Sequence, residues 1–248
     1  MCNETLTYTL NDYQQLMLKI SDLTPFSAVH AVQLQLKDHE ISELQTTLAQ
    51  AIDEVIQGLN LGIPVFLDHR KKVYFKSFSD LKLKIIESTL SEHVHYEMNR
   101  AFDENELPLR FFLVITNQDC YFSITYNHWI ADAYSISRLM EAILQHDNHQ
   151  KPSELRLSSE NMQTYFPSIY GVKAWIYRAT GIVKNLLRFS SAYRPPMHNS
   201  QLLDCGSCYY FFQKDTLLSL KQYCKQEKIT LNDFFLCILA KLFGDMTK

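Results

Sequence analysis

The residues best suited to chemistry are His128 and Asp132, which lie one helical turn apart in the stretch "YFSITYNHWIADAYSISRLMEAIL". A histidine imidazole titrates near pH ~6.5, so it can accept a proton from a hydroxyl, amine or thiol near neutral pH. A neighbouring carboxylate can hold the loop by accepting hydrogen bonds from backbone amides or from an arginine. An HxxxD pair is not specific, however, and on spacing alone two polar residues on an ordinary turn are the better interpretation.

A strand and a helix must position this pair. The strand before His128 alternates, so its apolar residues share one face with the histidine and its polar residues share the other. The apolar face consists of Phe122, Ile124, Tyr126 and His128, and the polar face of Ser123, Thr125 and Asn127. A histidine at the end of a rigid strand can point its ring into a cleft. A helix is expected over 131–145.

Strands and helices alternate irregularly along the rest of the chain. "TPFSAVHAVQLQLK" predicts a half-buried strand, and "IPVFLDHRKKVYFKSF" and "PLRFFLVITNQDCYFSITYNH" predict hairpins. Helical periodicity predicts helices over 10–20, 41–58, 80–99, 214–226 and 232–243, and "CGSCYYFFQ" predicts a strand. These elements indicate a mixed α/β architecture. The "YRPP" sequence marks the best boundary, giving domains 1–194 and 195–248.

The composition excludes several classes of function. The chain has 248 residues, 46% of them hydrophobic, with a net charge of -3 and only 6 glycines. It shows no phosphate-binding glycine motif and no charge that favours nucleic acid. No signal peptide and no apolar span long enough for a membrane is found, so a cytoplasmic protein with reduced cysteines is expected.

Three other groups have the residue types of a metal site but not its pattern. Cys205 and Cys208 form a single CxxC without a second pair of ligands, and thiols in a strand are the better interpretation. The pairs His93 with His95 and His146 with His149 are expected to be solvated or capping histidines. No metal is predicted.

A family resemblance makes the HxxxD pair more specific. "NHWIADAYSISRLM" resembles the HHxxxDG motif of the coenzyme-A-dependent acyltransferase superfamily, which includes condensation domains, chloramphenicol acetyltransferase, wax ester synthases and plant BAHD enzymes. "VHAVQLQLKDHEISELQTTLAQAI" is similar to the first strand and helix of these proteins. "KITLNDFFLCILAKLF" resembles the T-x-N-D segment that opens the core helix of their second lobe, and "PLRFFLV" also fits. The matching segments occur in the family order.

The resemblance implies a chloramphenicol-acetyltransferase-like α+β sandwich lobe with a mixed, largely antiparallel sheet flanked by helices. It implies that His128 is the general base at the meeting of two lobes and that Asp132 is a structural carboxylate. The reaction would move an acyl group from a coenzyme A or carrier-protein thioester to a hydroxyl or amine of a small molecule or lipid. The thioester would be a co-substrate, so no permanently bound cofactor is expected.

The chain departs from the family pattern at named positions. Asn127 stands where many members have the first histidine, and Ala133 replaces the motif glycine. Alanine is penalised if the position requires a positive φ and harmless if it does not. The family aspartate pairs with an arginine, for which the candidates are Arg70, Arg100 and Arg110.

Length is the largest departure, because the resemblance covers nearly all of this chain but only the first part of the family fold. The chain is expected to be a fragment or a naturally short product with an incomplete second lobe. The alternative to an enzyme is therefore a catalytically inactive acyltransferase-like domain that binds a partner, or an incomplete product. The strongly apolar helix over 232–243 should then self-associate, pack against a partner chain, or leave the last 40–50 residues poorly packed.

One basic and aromatic stretch, 169–194, has two interpretations. It could be an amphipathic helix that brings the protein to a lipid surface. A helix and crossover joining two lobes is the interpretation we favour, with its basic residues solvated.

Overall fold

The computed structural model describes residues 6–35, 41–78, 81–117, 119–146, 180–181 and 212–246. Contacts divide the chain into two compact units. Of the described residues, 6–146 belong to the first unit, whereas 180–181 and 212–246 belong to the second. The predicted domain boundary, the CxxC pair and nearly all of 169–194 lie outside the described residues, as does the strand predicted from "CGSCYYFFQ" except for its last two residues.

The first unit contains two sheets and four helices among its described residues. Its elements are β1 Thr7–Thr9, α1 Asp12–Ser21, β2 Ser27–Leu34, α2 Ile41–Gly58, β3 Ile63–Leu67, β4 Lys72–Lys76, β5 Leu83–Glu87, α3 Leu90–Met98, β6 Leu109–Ile115, β7 Cys120–Asn127 and α4 Ala133–Leu144. One sheet has the order β2-β7-β6-β5 and the other β1-β4-β3. The β5–β6 pair is parallel and the other pairs are antiparallel. The predicted α/β class with a mixed, largely antiparallel sheet flanked by helices is confirmed.

The centre of the four-stranded sheet is the β6–β7 hairpin, as its two aromatic and β-branched runs predict. Phe111 lies opposite Ile124, and Leu113 lies opposite Phe122. These four side chains face α2 and α4, whose buried residues complete one continuous core. The alternation of β7 therefore places Phe122 and Ile124 in the main core.

The opposite face of the sheet is covered by α3. Phe112 and Val114 pack there with Tyr121, and the polar residues of β7 point to the same side. The two faces of β7 thus differ in chemistry: an apolar core on one side and a partly polar layer on the other.

The helix predicted over 80–99 is wrong in its first half. Residues Leu83–Glu87 form strand β5, which pairs in parallel with β6. The short run "LKLKIIE" alternates with period two at its start, which suits a strand as well as a helix. Helix α3 begins only after Thr89, whose side chain accepts from the Glu92 amide while the Glu92 carboxylate accepts from the Thr89 amide.

The second unit is described through two helices, α5 Lys214–Gln226 and α6 Leu231–Met246. Thr230 begins α6 with a reciprocal cap, because its hydroxyl accepts from the Asp233 amide and Asp233 accepts from the Thr230 amide. Large apolar residues of α6 are exposed, namely Leu236, Ile238, Leu239, Leu242 and Phe243. No described helix is long and apolar enough to cross a membrane.

The fold predicts that truncating a side chain on the core face of β6 will strongly lower the free energy of unfolding. Leu113 is 0% exposed, so Leu113→Ala should lower the free energy of unfolding by about 2–5 kcal/mol through lost burial and a residual cavity. Leu23→Ala is the matched control, because Leu23 is 82% exposed and its loss should change stability by less than about 0.5 kcal/mol. Urea unfolding followed by circular dichroism measures both, and equal effects would contradict this core.

Candidate active site

His128 lies one residue beyond the end of β7 and is held there by an aromatic ring on each side. Its amide donates to the Phe26 carbonyl at 3.4 Å. Its imidazole stacks on the Phe26 ring, with centroids 5.4 Å apart and planes inclined by 26°, and it packs edge-to-face with the Tyr126 ring, with centroids 5.8 Å apart. These contacts fix the half-buried ring at the end of the apolar face of β7, on the side that the alternation predicts.

The two ring nitrogens of His128 have different surroundings. Nδ1 is buried and has no hydrogen-bond partner among the described residues. Nε2 does not share both of these properties. Nδ1 is therefore the His128 ring nitrogen that is shut off from a partner within the described part of the chain.

Asp132 acts locally as the N-cap of α4. Its carboxylate accepts from the Ser135 amide at 2.8 Å. The hydrogen bonds from the Ser135 backbone and side chain lower the pKa of the Asp132 carboxyl, and the charge of His128 contributes in the same direction. Asp132 thereby fixes the start of the helix that follows the histidine.

The arginine expected to pair with Asp132 is not found among the described residues. Each of the three candidates binds another carboxylate. Arg70 binds Asp22 at 2.6 Å, Arg100 lies 3.6 Å from Glu97, and Arg110 binds Glu106 and Glu97 at 2.7 and 3.1 Å. Backbone capping takes the place of the ion pair here.

Ala133 occupies the first position of α4 and needs no glycine. It is helical and is not one of the described residues with positive φ, which include Asn60, Asp68 and Lys228. The replacement of the motif glycine by Ala133 is therefore harmless to the backbone, because this position does not require a positive φ.

Asn127 points to the opposite side of β7 from His128. It pairs with Ser27 in the sheet and lines a cavity of about 690 Å³. Its Oδ1 is buried without a donor among the described residues, which costs roughly 1–3 kcal/mol unless water or a ligand supplies one. The motif therefore presents a histidine on one face and an amide on the other.

The cavity lies between the β3–β4 hairpin, the end of α1 and the segment 101–108. Trp129 is part of its wall, packed edge-on against Phe66 with centroids 5.3 Å apart. His128 does not line this cavity, although both its neighbours do. The structure thus brings Asn127 and Trp129, but not the His128 ring, to this space.

A buried ionic network under α3 is the main feature that sequence reasoning missed. The Arg110 guanidinium binds Glu106 and Glu97, donates to the Ala101 carbonyl at 2.6 Å and lies 3.9 Å from the Phe102 ring centroid. Burial opposes its charge, but the hydrogen bond and charge of Glu106 outweigh burial and raise the pKa of Arg110. The only sequence signal was an arginine inside the apolar run "PLRFFLV". The network ties the segment that lines the cavity to the sheet.

The prediction that His93 is solvated or capping is wrong. His93 is buried under α3, with Nε2 3.1 Å from the Ser123 hydroxyl and its ring edge against Phe112. Burial lowers the pKa of His93, and the charge of Glu97 opposes that shift. No group of residues in the described part of the chain is arranged to hold a metal ion.

Comparison with solved structures defines the class of fold. The chain has the fold of the condensation domains of nonribosomal peptide and polyketide synthases. It matches the EpoB NRPS cyclization-docking bidomain from Sorangium cellulosum with a TM-score of 0.55 and 16% identity, over 92% of this chain and 50% of that one. It matches the condensation domain of the monacolin K polyketide synthase MokA with a TM-score of 0.52 and 11% identity, over 93% of this chain and 58% of that one.

The fold implied by the motif and its flanking segments is therefore confirmed. The chain spans about half the length of these solved structures. No protein-family model matches the sequence, and comparison with curated proteins finds no match.

The ionic network predicts that loss of Arg110 will lower the stability of the fold much more than loss of a surface arginine. Arg110→Met leaves Glu97, which is 1% exposed, with only the more distant Arg100 at 3.6 Å and should cost about 3–5 kcal/mol of stability. Arg138→Met is the control, because its pair with Glu141 is on the surface and should contribute less than about 1 kcal/mol. Urea unfolding compares the two, and a cost for Arg110→Met no larger than the control would contradict the network.

The cap at Asp132 predicts a specific dependence of stability on pH. Because the folded-state pKa of Asp132 is lowered, its stabilising effect is present above the unfolded-state pKa and is lost as pH falls through the folded-state value. Asp132→Asn keeps a capping side chain, so it should match the wild type within a few tenths of a kcal/mol at pH 7 and lose less stability below about pH 4.

Asp132→Ala is the companion variant and should cost about 1 kcal/mol at pH 7 by removing the cap. Unfolding curves from pH 7 to pH 3 measure all three proteins. An asparagine variant as unstable as the alanine variant would show that the carboxylate does more than cap α4.

Proposed function

We propose that this protein takes part in condensation-type acyl transfer, moving an acyl group from a thioester to a hydroxyl or amine, with His128 as the general base. The donor is an acyl-coenzyme A or an acyl group on a carrier protein's phosphopantetheine arm. The acceptor is a small molecule or a lipid.

The proposed reaction needs one proton acceptor and no covalent intermediate. Nε2 of His128 takes the proton from the acceptor as its oxygen or nitrogen attacks the thioester carbonyl. The carbon–sulfur bond then breaks, and the thiolate leaves with the proton that His128 returns. Removal of the proton contributes about 10²–10⁴-fold, and positioning of the two substrates contributes the rest.

The observation that carries the proposal is the placement of His128 within a condensation-domain fold. The ring lies at the end of the central strand, stacked on Phe26, with Nδ1 buried. A base held by rigid elements needs little reorganisation when substrate binds. Asp132 supports this placement by capping α4, and Asn127 and Ala133 complete the turn.

We propose that a second chain, or a second copy of this chain, packs against α6 and completes the second lobe. The exposed apolar residues of α6 support this, because a helix with Leu239 and Leu242 in water favours association. We further propose a cytoplasmic protein, for which contact of the basic stretch 169–194 with a lipid surface would add a peripheral membrane location.

A second candidate function is binding without catalysis. It is favoured by the absence of an Asp132 ion pair among the described residues and by a cavity that the His128 ring does not reach. A non-catalytic lobe would bind the thioester donor or its carrier but release no thiol.

Replacement of His128 separates the two functions. His128→Ala should lower the rate of acyl transfer by about 10²–10⁴-fold with little change in the KM for the donor. His95→Ala is the matched control, since His95 lies on the exposed side of α3 and should leave the rate unchanged. The assay is release of free thiol from acyl-coenzyme A with an amine or alcohol acceptor.

Two results would decide against catalysis. Equal rates in the wild type and His128→Ala would reject the base. Binding of the donor by the wild type without any release of thiol would favour the non-catalytic function.

A further inference from the structure

The cavity beside Asn127 and Trp129 has walls of opposite charge. One wall is the β3–β4 hairpin, which brings Arg70 and Lys76, and the other is the acidic segment that brings Asp103, Glu104 and Glu106. A space between unlike charges suits a ligand that carries both a cation and an anion.

Two of these charges are already neutralised by neighbours. Arg70 binds both oxygens of Asp22 at 2.6 Å, and the charges of Asp22 and Glu104 both act on it. Glu106 binds Arg110 at 2.7 Å. Arg70 and Glu106 therefore form part of the cavity walls, but their charges already have partners and are not available to bind a ligand.

Three charges remain without an ion pair in the described part of the chain: Lys76 on one wall, and Asp103 and Glu104 on the other, where the charge of Glu104 also acts on Arg70. Within the described part of the chain, neither the Lys76 ammonium nor the Asp103 carboxylate has an ion-pair partner. Both residues are exposed at the cavity rim. A ligand carboxylate would therefore meet Lys76, and a ligand ammonium would meet Asp103.

The cavity lining combines apolar and polar groups, and Ser21, Ser27 and Asn105 line it together with Asn127. Leu18, Phe66 and Trp129 supply the apolar surface, and all three belong to or pack against the same small core as α1 and the three-stranded sheet. The Asn127 amide adds a buried oxygen without a donor among the described residues. This combination favours apolar side chains together with an N–H donor such as a peptide amide.

We propose that this cavity binds a short zwitterionic peptide with apolar side chains, of about the size of a dipeptide. Its volume of about 690 Å³ lies in the usual range for ligand sites and exceeds the need of a single amino acid. The separated termini of a peptide match the two oppositely charged walls, and its amide N–H matches the unpartnered oxygen of Asn127. This site does not include His128, so the inference does not depend on acyl transfer.

The test uses three probes that differ only in their end groups: leucyl-leucine, N-acetyl-leucyl-leucine and leucyl-leucine amide. The chain has two tryptophans, so a Trp175→Phe background leaves Trp129 as a fluorescent reporter in the cavity wall. Leucyl-leucine should change the Trp129 fluorescence and bind about threefold more tightly than either capped probe, as exposed ion pairs allow.

Two variants test which residue of the protein binds each end group of the peptide. Lys76→Met should weaken leucyl-leucine about threefold and leave the amide probe unchanged, because that probe has no carboxylate. Asp103→Asn should weaken leucyl-leucine similarly and leave the N-acetyl probe unchanged. Lys72→Met and Asp12→Asn are the matched controls, because both residues are exposed and lie outside the cavity lining, and they should change no affinity.

Three results would overturn the proposal. Equal affinity of the three probes would mean that only apolar contact acts. No fluorescence change at the highest soluble concentration would mean that the cavity takes no such peptide. If Lys76→Met weakened the binding of all three probes equally, Lys76 would not bind the ligand carboxylate.

Discussion

Strand β7 is the constraint on which the candidate site depends. It pairs with β2 on one side and β6 on the other, and most of its residues are buried. A strand held on both edges cannot slip by one residue without exchanging its two faces. The direction of every side chain up to the turn at His128 is therefore fixed by the register of the sheet.

This register separates two neighbouring residues of the motif. Asn127 belongs to the polar face of β7 and reaches the cavity, whereas His128 follows the apolar face and stacks on Phe26. The cavity is therefore lined by Asn127, whereas the His128 ring contacts Phe26, which also lines the cavity. A substitution at Asn127 acts first on the cavity side, and it reaches His128 only through the backbone of the turn.

The elements that the sequence predicts well are those with a strong local period. The β6–β7 hairpin, α2 and α4 are examples, because their apolar residues repeat at the spacing of one strand face or one helix face. Strand β5 was missed because its short run suits two periods and its pairing with β6 is parallel and non-local. The direction of His128 followed from alternation, but the cavity did not, since it is built by α1, the β3–β4 hairpin and a distant segment.

Charged contacts were the least predictable part of the site. Arg110 was a candidate partner for Asp132, yet it lies under α3 with Glu97, which is 1% exposed. Sequence spacing cannot choose between such partners, because the choice depends on which face of the sheet each residue occupies. Arg110 belongs to β6, where it pairs with Thr125 on the polar face of β7, and this places it on the side away from Asp132.

Because Asp132 caps α4, the carboxylate of the HxxxD pair needs no arginine partner in this chain. A carboxylate that accepts from Ser135 needs only the first turn of α4, so the histidine turn is held by a local contact and not by an arginine on another element. Local caps form with the helix itself and need no closure of a long loop. The geometry of the His128 turn should therefore survive changes in the distant Arg70 or Arg110, even where those changes weaken the cavity wall or the fold.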